Sequence, residues 1–466
     1  MSAAVRRRLL IAASPGELWA ALSEGGTLVG LRLLRTGARS RVGEIYLGRI
    51  VALQPELPAA LVDIGLPRPA FLSAEDAARK TGIAGLAEGQ SVIVQVLKDA
   101  RADKAAGVSL RPRLKGRLLE LRPGRPGIVA KGLPAEERRR LIAALAAVAP
   151  AEDGLILRPE TAGADAEALD VEAAALRSRW QAIIAASRSA RPPARLTEPD
   201  PPIAALIAEF AAPPPEAIVI DDRAVFAEAR SWFARRDPAL AALLTLHRGP
   251  EPLFEQEDVA AQIEAALAPR VPLPGGGALI IESTAAATMI DVDSGGAPIL
   301  ATNLAAARVA ARQIRLRNLA GAIVIDFIAM RRREDKDRVR AALSEALAGD
   351  PGAATALGWT RLGHMELVRS RRQAPLAELL YERGAEGGLV RTALTVALAA
   401  LRAVAREADA VPGRALAVNG SPEVAATLTE GEAQDARRAL EARLGRPLTI
   451  VAEPARARES FDIRAL

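Results

Sequence analysis

The sequence predicts an α/β multidomain protein with a small β-barrel near its N-terminus and a small α/β unit at its C-terminus. Three observations predict it. Between residues 203 and 370, short β-branched runs alternate with helical stretches, and two of these runs end in a carboxylate. Residues 43–110 crowd short strands broken by Gly and Pro, the texture of a small barrel. After residue 385 a helix, a strand, a second helix and a second strand follow on a smaller scale. A chain of 466 residues has room for about two to four domains, each with a core of its own.

Taken in order, residues 5–38 read as strand, helix, strand: Leu9 to Ala12, a helix over Pro15 to Leu22, then Leu28 to Leu33. Gly43 to Leu53 alternates as a half-buried strand. Ala59 to Gly65, Pro69 to Leu72 and Ser91 to Lys98 continue the barrel, and Gly107 to Leu110 is expected to close it. A mixed region over 113–187 carries a helix rich in both charges, Pro134 to Val148. Ser187 to Pro202, rich in Pro and Arg, reads as an exposed linker or loop. In the C-terminal unit the helices are Leu389 to Ala408 and Glu432 to Leu444, and the strands Ala415 to Val418 and Leu448 to Val451.

The chemistry centres on the two strand-end carboxylates. Ala287 to Ile290 runs into Asp291-Val292-Asp293-Ser294-Gly295, and Gly321 to Ile325 runs into Asp326-Phe327-Ile328, with a basic helix between. Strand, helix, strand is a βαβ crossover, which brings the carboxyl ends of parallel neighbours to one edge, where sites form. Asp291 and Asp326, 35 positions apart, are thereby predicted side by side. Two such carboxylates repel unless a cation sits between them, and Mg2+ or Mn2+ suits oxygen ligands. A lone Asp at a strand end is more often a cap or turn residue; the pair is what favours a site. Arg312, Arg315 and Arg317 on the intervening helix are expected to fan outward and, with the ion, to neutralise a phosphodiester. The competing reading of those arginines is a solvated helix face.

Composition narrows the classes. The formal charge of +6 favours polyanionic partners. With no cysteine, disulfides, thiolate zinc sites and cysteine nucleophiles are excluded, and two histidines argue against a histidine-rich metal site. The apolar stretch Leu9 to Ala13 is too short for a signal-peptide core, and Thr392 to Val404 is interrupted by Arg402. The expectation is a cytoplasmic protein that does not span a membrane.

At these residues the chain resembles the ribonuclease E/G family of bacterial endoribonucleases, over nearly its whole length. Gly43 to Ile50, with Val62-Asp63-Ile64-Gly65 and Ala70-Phe71-Leu72, is similar to the family's inserted OB-fold RNA-binding barrel. Ile290 to Gly295 matches its first metal motif. The most specific match is Ala311 to Leu319 followed by Ile323 to Ile328, and Gly358 to Arg369 matches the segment beyond. The resemblance implies an RNase H-like and DNase I-like catalytic core. The expected segments are an N-terminal part (1–40), the barrel (41–111), the RNase H-like remainder (112–275), the metal-binding subdomain (276–380) and the small domain (385–466).

It further implies a Mg2+-dependent endonuclease that cuts single-stranded RNA, a ribosomal RNA precursor or messenger RNA, leaving a 5′-phosphate and a 3′-hydroxyl. Asp291 and Asp326 would be its catalytic metal ligands, and Lys104 would contact the RNA backbone. Phe71 would stack on a base, worth ~1–3 kcal/mol in such sites, or else belong to the barrel core. The alternative function is an RNA-binding relative with impaired catalysis. Several positions depart from the family pattern. Asp293 stands where members carry Asn, so it would join the metal shell or slow the chemistry. Ala285 and Ala329 replace acidic residues. The sensor for 5′-monophosphates keeps Arg158 but has Pro159 in place of Thr, and Ala353 where a second Arg is found; a weak or absent 5′-end preference is expected. The cysteines that share a zinc between subunits are missing, so no zinc is expected and the chain would be a monomer or a dimer without it. The long scaffold tail of the largest members is likewise not expected.

Overall fold

Strands Arg7–Ser14, Glu17–Glu24 and Thr27–Arg35 form an antiparallel meander, and Ala217–Ile220 and Leu244–Leu246 extend it as parallel strands beyond Arg7–Ser14. The computed structural model describes residues 6–466 apart from 36–40, 55, 78–81, 101–103, 131–132, 149–153, 159–160, 162, 199, 212, 285, 349, 351, 372, 385–387 and 412. Pro159 and Ala285 therefore lie outside the described residues. The helix expected over Pro15 to Leu22 is a strand. Ser14 pairs with Glu17 across a two-residue turn in which Gly16 takes φ +81°. Leu18 and Ala20 pack into one core and Ala21 into another. With both faces buried, the polar alternation that marks a strand is missing.

The chain divides into two compact units, one of residues 1–38, 202–234 and 238–466, the other of residues 39–201 with 235–237. In the second unit, strands Ile45–Gln54, Ala59–Asp63, Ala70–Ser73, Gly107–Ser109 and Ser91–Lys98 neighbour one another in that order. Ile45–Gln54 then pairs with Ser91–Lys98, closing a five-stranded barrel consistent with an OB-fold. Val62, Leu72, Val94, Val96 and Val108 fill it. Gly107–Ser109 joins Ala70–Ser73 to Ser91–Lys98, the closing position the sequence predicts. The segment read as a linker is also tied down: Ala194–Arg195 pairs with Leu47 and Tyr46, and the Leu196 N–H donates to the Ile45 carbonyl. A four-stranded sheet with helices Ala135–Val148 and Ala166–Ser189 completes this unit.

In the first unit a six-stranded sheet runs in the order Arg270–Pro272, Ala278–Ser283, Ala287–Asp293, Gly321–Asp326, Met365–Arg369, Thr355–Trp359. Ala287–Asp293 and Gly321–Asp326 are parallel neighbours joined through helix Ile299–Leu316, the predicted crossover. The helix buries Ala306, Ala307, Ala310, Ala311 and Ile314 against Ile290, Ile323 and Ile325. These residues cover one face of the sheet. The opposite face carries Met289, Asp291, Asp326, Glu366 and Val368, all exposed. The C-terminal helix begins at Ala393, capped by Thr392, because Leu389–Arg391 pairs with Tyr381–Arg383. Strands Leu416–Gly420 and Thr449–Ala452 occur as predicted, and a third, Asp462–Ala465, pairs with Leu416–Gly420.

Candidate metal centre

Alternation along a strand sends Ile290 and Val292 into the core and Asp291 to the open face. Gly321–Asp326 repeats this, burying Ile323 and Ile325. Asp291 and Asp326 are direct partners in the parallel register, as the sequence predicted. The Asp326 side chain is 51% exposed, and His364 Nε2 lies 3.7 Å from its Oδ1. Among the described residues no hydrogen bond or ion pair engages the Asp291 carboxylate. Two adjacent, open carboxylates repel across the ladder, so the donor set invites a hard cation.

The loop beyond Asp326 is fixed from below. Asn303 is fully buried in the helix; its Nδ2 donates to the Ile328 carbonyl at 2.8 Å and its Oδ1 accepts from the Ile328 N–H at 3.1 Å. Phe327 turns into the core and meets Trp359 at 5.7 Å between ring centroids, and Lys336 lies 5.7 Å over the Trp359 ring. Beneath the neighbouring strands, Arg369 and Asp350 form an ion pair at 2.7 Å with side chains 1% and 0% exposed. Arg369 also donates to Asn318 Oδ1 and to the Leu319 carbonyl, each at 2.8 Å. Burial alone pushes the Asp350 carboxyl up, but the bonds and charge of Arg369 outweigh it and hold the carboxyl below its ordinary range.

Asp293 faces the same way as Asp291 but is spent otherwise. The Gly295 N–H donates to its Oδ1 at 3.1 Å and Arg270 to its Oδ2 at 2.9 Å, which together hold it below the usual carboxylate range. Gly277 is required beside it, since a Cβ there would sit 2.2 Å from the Asp293 carbonyl oxygen. No group of three or more acidic or histidine side chains able to hold a metal occurs among the described residues. At that point of the open face the described residues thus bring two carboxylates together. Mg2+ fits that number, because it keeps several waters and takes one or two protein carboxylates.

A sequence model of the Ribonuclease E/G family matches residues 113–372, more than half of the chain and including both strands of the pair. Ribonuclease G of Salmonella typhimurium is 32% identical over 98% of this chain and 99% of its own. The chain belongs to the ribonuclease E/G family. Ribonuclease G of Escherichia coli is 31% identical over the same shares. Ribonuclease E of Escherichia coli is 33% identical over 87% of this chain but only 41% of its own length.

Within this ribonuclease E/G family member, the helix arginines do not fan outward as expected. Arg317 is 8% exposed and donates to Gln313 Oε1 and to the Ala268 carbonyl, and burial pushes its guanidinium down to about 10. Arg315 donates to the Ala346 carbonyl, and the Arg312 Nε is buried without a partner among the described residues. Long side chains curl back to carbonyls that only the folded chain brings near. Exposed positive charge lies instead at Arg331, Arg332 and Arg333, just past Asp326. Phe71 is 39% exposed while its neighbours Ala70 and Leu72 are fully buried, so it stands on the barrel's outer surface and outside its core. Lys104 is exposed ahead of Gly107–Ser109. Arg158 donates to the Gly116 carbonyl at 2.7 Å. Ala353 holds φ +52° and has no side-chain donor to offer.

Proposed function

We propose that the chain is a Mg2+-dependent endoribonuclease that hydrolyses single-stranded RNA and leaves a 5′-phosphate and a 3′-hydroxyl. One observation carries the reading: Asp291 opposite Asp326 on an uncovered sheet face. Ribonuclease G, the name of relatives matched over almost their full length, gives the substrate class. Mn2+ would serve the same oxygen donors. The order of the five-stranded sheet, a meander extended by two parallel strands, supports an RNase H-like core for the rest of the unit.

In this reading Asp291 and Asp326 hold the ion, and the rigid strand ends fix their spacing. When bound, a divalent ion makes water a better nucleophile at neutral pH and offsets charge building on the phosphoryl oxygens. Arg331 and Arg332, exposed on the loop after Asp326, neutralise flanking phosphates. Phe71 offers a stacking face to an unpaired base, and Lys104 a cation to the backbone. Asp293, committed to Arg270, stays outside the shell. The expected substrates are ribosomal RNA precursors and messenger RNA in the cytoplasm. No helix among the described residues is long and apolar enough to cross a membrane.

Incubating the protein with a labelled single-stranded, A/U-rich RNA tests this. Cleavage should require Mg2+, stop with EDTA, and fall by several orders of magnitude in Asp326→Asn and Asp291→Asn. RNA left intact by the wild-type protein in Mg2+, or cut equally well by both variants, sinks the reading.

A further inference from the structure

The sheet register sets four side chains in one row across four adjacent strands. Ile280 pairs with Asp291, Asp291 with Asp326, and Ile325 with Met365. The next rung of that last ladder puts His364 opposite Asp326 on the open face, where Nε2 reaches to 3.7 Å from Oδ1. We infer that His364 is a positioning residue that orients the Asp326 carboxylate for metal binding, an inference that rests on the metal-centre reading above.

The order within the row assigns the role. Asp326 stands between Asp291 on one side and His364 on the other. Asp291 and Asp326 would hold a shared ion from the Asp291 side, which would leave the other oxygen of Asp326 to the imidazole. With the proton on Nε2, the ring donates to that oxygen after a closure of about 1 Å, to ordinary hydrogen-bond length. The carboxylate would then be left with one oriented oxygen free for the ion. A direct ligand role fits less well, because the described residues bring no three such groups together around one point.

The backbone that carries the imidazole is held in place. The His364 backbone N–H donates to Thr360 Oγ1 at 3.1 Å, the Thr360 backbone N–H donates back to the His364 carbonyl at 2.8 Å, and the Gly363 backbone N–H closes the turn onto the Thr360 carbonyl at 3.1 Å. Met365, next in the chain, is fully buried. His364 thus sits on a braced hairpin corner. The only other histidine, His247, sets its Nε2 2.8 Å from the Glu251 carbonyl oxygen.

Partners of this kind fix the orientation of metal ligands and change affinity by ~10–100-fold when removed. The test is Mn2+ binding to the full-length protein without RNA, at one near-neutral pH, read from the paramagnetic resonance signal of free Mn2+. His364→Leu should weaken binding by ~10–100-fold, and His364→Gln, which keeps an N–H at a similar reach, should stay near wild type. The metal-free melting temperature should be equal for all three proteins. His364→Ala, run in parallel, gives the same decision if the leucine variant does not fold. Asp326→Asn is the control and should lose binding. Wild-type affinity in His364→Leu and His364→Ala, with binding lost in Asp326→Asn, overturns the role of His364 and leaves the metal centre standing. Equal weakening in the Leu and Gln variants also overturns it, since loss of packing then explains both. Undiminished binding in Asp326→Asn defeats the metal centre itself, and this inference with it.

Discussion

Asp221 follows strand Ala217–Ile220 and takes a hydrogen bond from the Ala13 N–H at 2.7 Å. Burial pushes its carboxyl from 3.8 up to about 6, against the opposing pull of that bond. Because the folded value is raised, the stability this group contributes is present in full below its ordinary value. It is lost as pH climbs through about 6. Above that pH the fold carries an ionised, desolvated carboxylate at a cost of ~1–3 kcal/mol. Asp221→Asn keeps the acceptor and removes the charge, so its melting temperature should exceed wild type at about pH 7.5 and match it at about pH 4. An equal difference at both pH values would refute this. Single residues were unevenly legible in the sequence. Asp291 and Asp326 were readable because strand alternation fixes their direction. Arg315 and Arg317 were not, because a long side chain chooses among carbonyls supplied by distant segments such as Ala268.

At the scale of elements, the sheet that carries the carboxylates is braced by the Arg369–Asp350–Asn318 network. Removing one partner strands the other charge in a dry interior, at a cost of ~3–5 kcal/mol. Arg369→Leu should therefore lower the denaturation midpoint by that amount of free energy, and Gly352→Ala should also destabilise, since its Cβ would fall 2.5 Å from the Arg369 Nε. A midpoint unchanged in Arg369→Leu would show that the pair adds nothing. Elements with one clear period were read correctly, including both carboxylate strands and helix Ala135–Val148. Glu17–Glu24 was misread because both its faces are buried. Ala194–Arg195 was missed because two residues of edge strand carry no period; their pairing with Ile45–Gln54, some 150 residues away, defines them.

For the whole molecule, the barrel and its closing strand were foreseeable from close-set short strands, but the pairing of Ile45–Gln54 with Ser91–Lys98 is long-range and no local pattern reveals it. Like that pairing, 5′-end sensing is a property of several segments together. Arg158 already donates to a backbone carbonyl, and Ala353 brings no cation. RNAs bearing 5′-monophosphate and 5′-hydroxyl ends should be cleaved at equal rates, and a large preference for the monophosphate would contradict that.

Strand Arg7–Ser14 finds its parallel neighbour only in Ala217–Ile220. Roughly 200 residues must leave the ribosome between the two, which takes ~10–40 s at ordinary translation speeds. For that interval the nascent meander has a second naked edge besides Thr27–Arg35, open to pairing with any other growing chain. Arg6, Arg7 and Arg8 place charge along that edge, a guard needed only until residue 220 emerges.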